Sequence, residues 1–179
     1  MKLMIASDIH GSSYYAAELL ARFAEESPDK LVLLGDILYH GPRNDLPRDY
    51  APKKLIEMLN PLADQLLCVR GNCDTEVDQM VLQFPILSDT VLIFDGIRIL
   101  TATHGHHLDT VSAPMKNGII LYGHTHIPDN TLKDGIRYIN PGSVSIPKNG
   151  SVNSYLIYSD GLFQWKNVST GEVYNSFQL

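Results

Sequence analysis

Five short apolar runs in this chain each stop at a polar cluster with a glycine beside it. Leu3–Ser7 runs into Asp8-Ile9-His10, and Leu31–Leu34 into Gly35-Asp36. Leu66–Arg70 runs into Gly71-Asn72-Cys73-Asp74, Ile97–Thr103 into His104-Gly105-His106, and Ile119–Tyr122 into Gly123-His124-Thr125-His126. Short, uninterrupted apolar runs bounded by turn signals read as buried strands. In sheets of such strands, sites form at the carboxyl ends. The neighbouring glycines (Gly11, Gly35, Gly71, Gly105 and Gly123) lack a Cβ and so permit sharp turns and close backbone approach. Five strand ends of this kind can converge on one pocket.

The order of elements sets the architecture. After the first run, Ser12-Ser13 can cap a helix reaching about Glu26, with Ala16, Leu19, Leu20, Phe23 and Ala24 on one face and Pro28 as a stop. The run Leu31–Leu34 follows, then a polar loop from Ile37 to Tyr50. A helix opening at Pro52 carries Leu55, Ile56, Met58 and Leu59, and Gln65–Arg70 is a third strand. This alternation predicts parallel pairing with right-handed crossovers. Beyond it, Asp95-Gly96, Asp134-Gly135 and Ser159-Asp160-Gly161 lie between apolar runs and predict hairpins. The C-terminal half therefore reads as mainly antiparallel, with no helix of any length. The expected whole is a single α/β domain over residues 1–179, two mixed sheets packed together with helices outside.

Composition excludes several classes. A length of 179 residues suits one domain, and 44% hydrophobic residues suit a packed core rather than disorder. A net charge of −6 with scattered cations argues against a sequence-independent nucleic-acid binder, so long nucleic acid is not an expected partner. Two cysteines are no disulfide framework and fit a reducing cytoplasm. The N-terminal apolar run meets Asp8 too soon for a signal peptide, and no run approaches the ~18 residues of a membrane span.

The five strand ends offer Asp, His and Asn donors and no thiolate at the obvious positions. Such a set suits Mn²⁺, Fe, Zn²⁺, Ni²⁺ or Co²⁺ rather than a structural zinc–thiolate site. Seven side chains exceed what one ion accepts while leaving room for water, and two ions sharing a carboxylate solve the problem economically. A pair ~3.5–4 Å apart can clamp a phosphate and activate a hydroxide for in-line attack. Taken singly, each piece has a plainer reading as a turn or helix cap, and only the conjunction points to metal.

The ordered set Asp8-x-His10, Gly35-Asp36, Gly71-Asn72-x-Asp74, His104-Gly105-His106 and Gly123-His124-x-His126 resembles the motifs of the calcineurin-like metallophosphoesterase superfamily. The longer stretches Ser7–Gly11, His40–Asn44, Val69–Asp74 and Asn140–Pro147 resemble its small YfcE-type phosphodiesterases, and the likeness reaches about residue 148. The resemblance implies a four-layer α/β/β/α sandwich with a dinuclear site. It implies that Asp8, His10, Asp36 and His126 hold one ion, that Asp36 bridges, and that Asn72, His104 and His124 complete the second. It further implies two divalent ions, with Mn²⁺ foremost and Zn²⁺, Fe or Ni²⁺ as alternatives, and relatives that often self-associate as homo-oligomers.

The chain departs from the wider superfamily at Cys73, where a histidine usually follows the asparagine and serves the leaving group. A neutral thiol with a pKa near ~8.5 is a poor substitute for imidazolium, so substrates with good leaving groups are expected and alkyl monoesters disfavoured. Cys73 itself reads as a small packed residue. His106 follows His104 by two and is expected to face the pocket and touch substrate, so Asp36, Asn72 and His106 are the catalytic candidates. His40 and Arg43 lie in the loop after Asp36, within reach of a phosphate or exposed. Arg70 is expected to pair with Asp74 or another acid, Asp74 to fix the Asn72 turn, and Asn140-Pro141-Gly142-Ser143 to be a structural turn bordering the site.

The function expected is hydrolysis of small phosphodiesters by attack of a metal-bridging hydroxide. A phosphomonoesterase or nucleotide phosphatase is the rival within the enzyme class, and Cys73 speaks against it. A protein-binding scaffold resembling Vps29, a retromer subunit, is the rival outside it, and the full set of seven ligand-type residues speaks against that. A metallo-β-lactamase-type hydrolase is excluded, because His104-Gly105-His106-His107 lacks the aspartate of that motif.

Overall fold

The computed structural model describes residues 1–111 and 117–179. Lys2–Ala6 (β1), Lys30–Leu33 (β2) and Leu66–Cys68 (β3) are the three N-terminal strands. Ser13–Glu26 (α1) and Pro52–Leu59 (α2) connect them. The strands pair in parallel, Leu3 beside Lys30 and Leu31 beside Leu66, as the alternation requires. Ser12 caps α1 by accepting from the Tyr15 N–H, and Pro52 stands in the first turn of α2 where its missing N–H costs nothing. β3 is shorter than the run Gln65–Arg70, because residues 60–65 form a 3₁₀ turn and Arg70 already turns toward the site, its N–H bonded to the Ser88 carbonyl. A short helix, Glu76–Gln79 (α3), follows a capping box between Thr75 and Asp78.

The second half supplies Thr90–Phe94 (β4), Ile99–Thr103 (β5), Ile119–Leu121 (β6), Pro128–Lys133 (β7) and Ile136–Pro141 (β8), then Ser154–Ser159 (β9), Leu162–Asn167 (β10) and Val173–Gln178 (β11). The three expected hairpins are present, β4–β5, β7–β8 and β9–β10. Two pairings differ from the antiparallel reading: β5 with β6 and β6 with β8 are parallel. The cause lies in the connections. β5 reaches β6 through a long crossover rather than a turn, and β7 folds back to the sheet edge, leaving β8 beside β6. Among the described residues the second half has no α-helix, only a 3₁₀ turn at Leu108–Thr110 beside Tyr122 and Tyr138 on the outer face of its sheet.

Two mixed sheets result, one ordered β11-β10-β9-β1-β2-β3 and the other β4-β5-β6-β8-β7. Alternation along β1 and β2 explains why their apolar runs are continuous. Met4, Ala6, Leu31 and Leu33 face Ala16, Leu19, Phe23, Leu55 and Leu59 of the helices. Leu3, Ile5, Val32 and Leu34 face Leu100, Ala102, Ile119, Leu121 and Ile139 of the other sheet. Strands buried on both faces need no polar side. This sandwich, helices included, brings the ends of β1, β2, β3, β5 and β6 to one edge.

Candidate metal centre

At that edge the backbone takes unusual conformations. Asp8 (φ 58°), His10 (50°), Asp36 (54°), His124 (65°) and His126 (62°) all occupy the left-handed region, which costs a residue with a Cβ about 1–3 kcal/mol. The surroundings hold them there. The Asp8 carbonyl accepts from the Ser143 hydroxyl (2.8 Å) and the Ser145 hydroxyl (3.2 Å). Asn140 donates to the Gly123 carbonyl (2.8 Å) in the loop carrying His124 and His126. Buried Asp74 accepts from the N–H groups of Asp36 (2.8 Å), Ile37 (2.9 Å) and Gly71 (2.8 Å), joining the loops after β2 and β3. A Cβ on Gly71 would overlap the backbone nitrogen and Oδ1 of Asp36, so only glycine lets these loops approach.

The imidazoles are oriented by carbonyls. Nδ1 of His10 donates to the Tyr39 carbonyl (2.7 Å), that of His104 to Leu34 (2.6 Å) and that of His126 to Ile146 (2.6 Å). A carbonyl only accepts, so each Nδ1 carries a proton and each ring turns its Nε2 to the centre. There, His10 Nε2 lies 3.2 Å from His126 Nε2 and 3.6 Å from both Asp8 Oδ1 and Asp36 Oδ2. His126 Nε2 is 3.4 Å from Asp8 Oδ1, and His104 Nε2 is 3.5 Å from Asp36 Oδ2 and 3.0 Å from Asn72 Oδ1.

Asp8, His10, Asp36, His104 and His126 are all buried. Burial resists charge on Asp8, but contact with His10 and the fields of His104 and His126 outweigh it and hold the carboxyl below its ordinary range. Asp36 is likewise held well below, burial being outweighed by His104. His104 in turn is pushed up to about 9 by Asp36 against the effect of burial.

This donor set fits divalent metal. Asp8 Oδ1 is buried with no hydrogen-bond partner among the described residues, and imidazole Nε2 atoms crowd together beside two carboxylates. A divalent cation would satisfy them together. Within the set, Asp8, His10 and His126 offer donor atoms within 4.8 Å of one another, and so do Asp8, Asp36 and His104.

The remaining sequence candidates stand around this centre. His124 donates its backbone N–H to Asp8 Oδ2 (3.0 Å), and its ring packs 5.1 Å from that of His104. His106 has its ring 5.4 Å from His104 and 6.1 Å from His124. Cys73, expected to be a small packed residue, has its sulfur within the same 4.8 Å reach of His10 and Asp36. Burial, with Asp36 beside it, pushes that thiol up to about 12. Its backbone N–H bonds Asp36 Oδ1 (2.8 Å), a contact no spacing in the sequence announces. His40 turns away to pack edge-on against Tyr39 and Tyr50. Arg70 pairs with Glu76 at 3.4 Å and donates to the Asp74 carbonyl.

Two cavities flank the centre. One of about 380 Å³ is lined by Asp36, Asn72, His124, His126, Arg43 and Lys148, among others. The other, about 640 Å³, is lined by Arg70, Asn72, His106, His107 and Thr110. Asn72 belongs to both walls, so a molecule seated at the centre can extend into either.

A sandwich of two mixed sheets with buried carboxylates and imidazoles at the strand ends defines a class of hydrolytic metalloproteins, and the calcineurin-like phosphoesterase superfamily profile matches residues 1–159. The chain belongs to that superfamily. It is 48% identical to phosphodiesterase YfcE of Escherichia coli over 157 residues, 87% of this chain and 85% of that one. The solved structure of the E. coli phosphoesterase YfcE superposes with a TM-score of 0.95 at 42% identity, covering 99% of both chains. Zinc-bound Vps29 of Entamoeba histolytica shares the fold alone, with a TM-score of 0.62 at 17% identity over 100% of this chain and 98% of that one.

Proposed function

We propose that this chain is a dinuclear-metal-dependent phosphodiesterase acting on small phosphodiesters. The observation that carries the reading is the convergence of three imidazole Nε2 atoms and two carboxylates held below their ordinary range. Asp8, His10, Asp36 and His126 would hold one ion, and Asn72, His104 and His124 the second, with Asp36 between them. When bound, such a pair supplies an activated water for in-line attack on phosphorus and charge to neutralise the phosphoryl oxygens. Oxygen and nitrogen donors suit Mn²⁺, Fe²⁺, Zn²⁺ and Ni²⁺ alike, and Mn²⁺ is put first on the likeness to the YfcE-type phosphodiesterases.

The protein's own groups do the rest. The carbonyls of Tyr39, Leu34 and Ile146 fix the imidazoles, and Asn72 stands on the wall shared by the two cavities. His106, on the wall of the larger cavity, is positioned to contact the leaving arm. A thiol pushed up to about 12 is a far weaker general acid than an imidazolium, which favours diesters with acidic leaving groups. Two unpaired cysteines, Cys68 and Cys73, support a reducing, cytoplasmic setting. No helix among the described residues is long and apolar enough to cross a membrane.

The test is Mn²⁺-dependent hydrolysis of bis(p-nitrophenyl) phosphate and p-nitrophenyl phosphate, with Asp36→Asn alongside. Diester turnover that falls by about 10³-fold or more in the variant, in line with loss of metal-centred catalysis, is the expected result. Preference for the monoester overturns the substrate class. Absence of turnover with Mn²⁺, Zn²⁺, Fe²⁺ or Ni²⁺ overturns the enzymatic reading and favours a scaffold.

A further inference from the structure

Cations are scarce in this acidic chain, and most are committed. Lys2 and Lys166 pair with Glu26, Arg22 with Glu25, Arg70 with Glu76 and Arg98 with Asp95. Arg48 lies over the Tyr14 ring, Arg137 over Phe177, and Lys30 donates to the Asp64 carbonyl. Lys53, Lys54 and Lys133 have no such partner among the described residues and line neither cavity beside the centre; Arg43 and Lys148 differ in their place. Among the described residues neither side chain has an ion-pair or hydrogen-bond partner, and both line the 380 Å³ cavity that opens on Asp36, His124 and His126.

Their backbones are anchored. The N–H of Lys148 donates to the His126 carbonyl (3.2 Å), and its carbonyl accepts from Ser151. The loop of Arg43 is closed by Asn44, whose side chain donates to the His40 carbonyl (2.8 Å). Two unpaired cations therefore rise from fixed bases on facing loops over one cavity. A singly charged phosphodiester needs neither, since its one charge is met at the metal centre. Their charge is left for something further out.

We propose that Arg43 and Lys148 bind a second anionic group, so that the substrate of this site is a phosphodiester bearing an additional phosphate. The inference rests on the phosphodiesterase reading and narrows it. Among the described residues neither side chain has a hydrogen bond or ion pair with a metal ligand, so both act as specificity-determining groups rather than in the chemistry. In that arrangement one phosphate sits at the metal centre and the other meets a guanidinium and an ammonium at the rim, each a charge-assisted contact.

The test is calorimetric and needs no turnover. Thymidine 5′-phosphate and thymidine 3′,5′-bisphosphate are titrated into the Mn²⁺-loaded protein and into R43Q/K148Q. The bisphosphate is expected to bind the unaltered protein about tenfold or more tightly than the monophosphate, the gain of one or two charge-assisted hydrogen bonds. In the double variant the ratio is expected to fall to about two, the advantage of having two equivalent phosphates. K148R should keep most of the preference, and R43Q and K148Q singly should each lose part of it, so a misfolded double variant does not hide the answer. Equal affinities in the unaltered protein, or a preference that survives in R43Q/K148Q, overturn the proposal. Tight, rim-dependent binding without hydrolysis of bis(p-nitrophenyl) phosphate would overturn the catalytic reading and leave the second anion site standing.

Discussion

At the residue scale, the centre depends on positions that carry no donor at all. Gly71 lets the loop after β3 lie against Asp36, and its Cβ would strike Asp36's backbone nitrogen rather than the end of a flexible side chain. Gly71→Ala is expected to destabilise the protein by about 1–3 kcal/mol, the usual cost of overpacking. It should also weaken Mn²⁺ binding, since Asp36 must shift. Urea unfolding together with Mn²⁺ titration checks both, and unchanged affinity would show that the loop yields elsewhere. The sequence displayed this glycine beside Asn72 but not the carboxylate it accommodates, because the partner lies 35 positions earlier.

At the scale of elements, the tip of the β4–β5 hairpin is tied to β9 by Asp95, which accepts from the Tyr158 hydroxyl and from the N–H groups of Ile97 (2.8 Å) and Arg98 (2.6 Å). Burial opposes charge on Asp95, but the Tyr158 hydroxyl and these N–H groups prevail and bring its carboxyl down to about 2. Because the folded value is depressed, the contribution to stability is complete above the ordinary value of 3.8 and is lost as pH falls toward about 2. Tyr158→Phe is expected to cost about 1–2 kcal/mol at pH 7, with the gap to the unaltered protein narrowing below pH ~4. Denaturant midpoints measured across that range check it, and a gap constant with pH would assign the loss to packing.

Elements of this kind also mark how far the sequence can be read. Asp95-Gly96 announced its hairpin, the alternation of runs announced the parallel strands β1 to β3, and the glycine-flanked strand ends announced Asp8, Asp36, Asn72 and His104. The parallel pairing of β5, β6 and β8 was not legible, because local turn chemistry says which strands fold back but not which edge a hairpin occupies. Lys148 on the cavity wall was not legible either. It reaches the site only through the carbonyl of His126, a relation between two loops that no periodicity records.

At the scale of the whole molecule, the centre joins the two sheets, so occupying it should hold them together. Any ligand that binds only the folded state stabilises it, by about 2.7 kcal/mol per site at a hundred times its dissociation constant. Saturating Mn²⁺ is therefore expected to raise Tm by about 5–10 °C for each site filled in a chain of this length. EDTA should reverse the rise, and Asp36→Asn should blunt it. Differential scanning calorimetry checks this, and an equal rise in the variant would mean that Mn²⁺ acts elsewhere.

β1 is a central strand with β2 on one side and β9 on the other, Ile5 standing opposite Leu156. On a ribosome this has a cost in time. At about 5–20 residues per second, the first strand waits roughly 7–30 s before its second neighbour exists. Through that interval Leu3, Met4 and Ile5, wholly buried in the finished fold, present an open edge. The hydroxyls of Ser143 and Ser145 that clasp the Asp8 carbonyl arrive equally late. Nascent chains must therefore be kept apart until Ser154–Ser159 has been made, and the loop of Asp8 takes its final form only after Ser145 has left the ribosome.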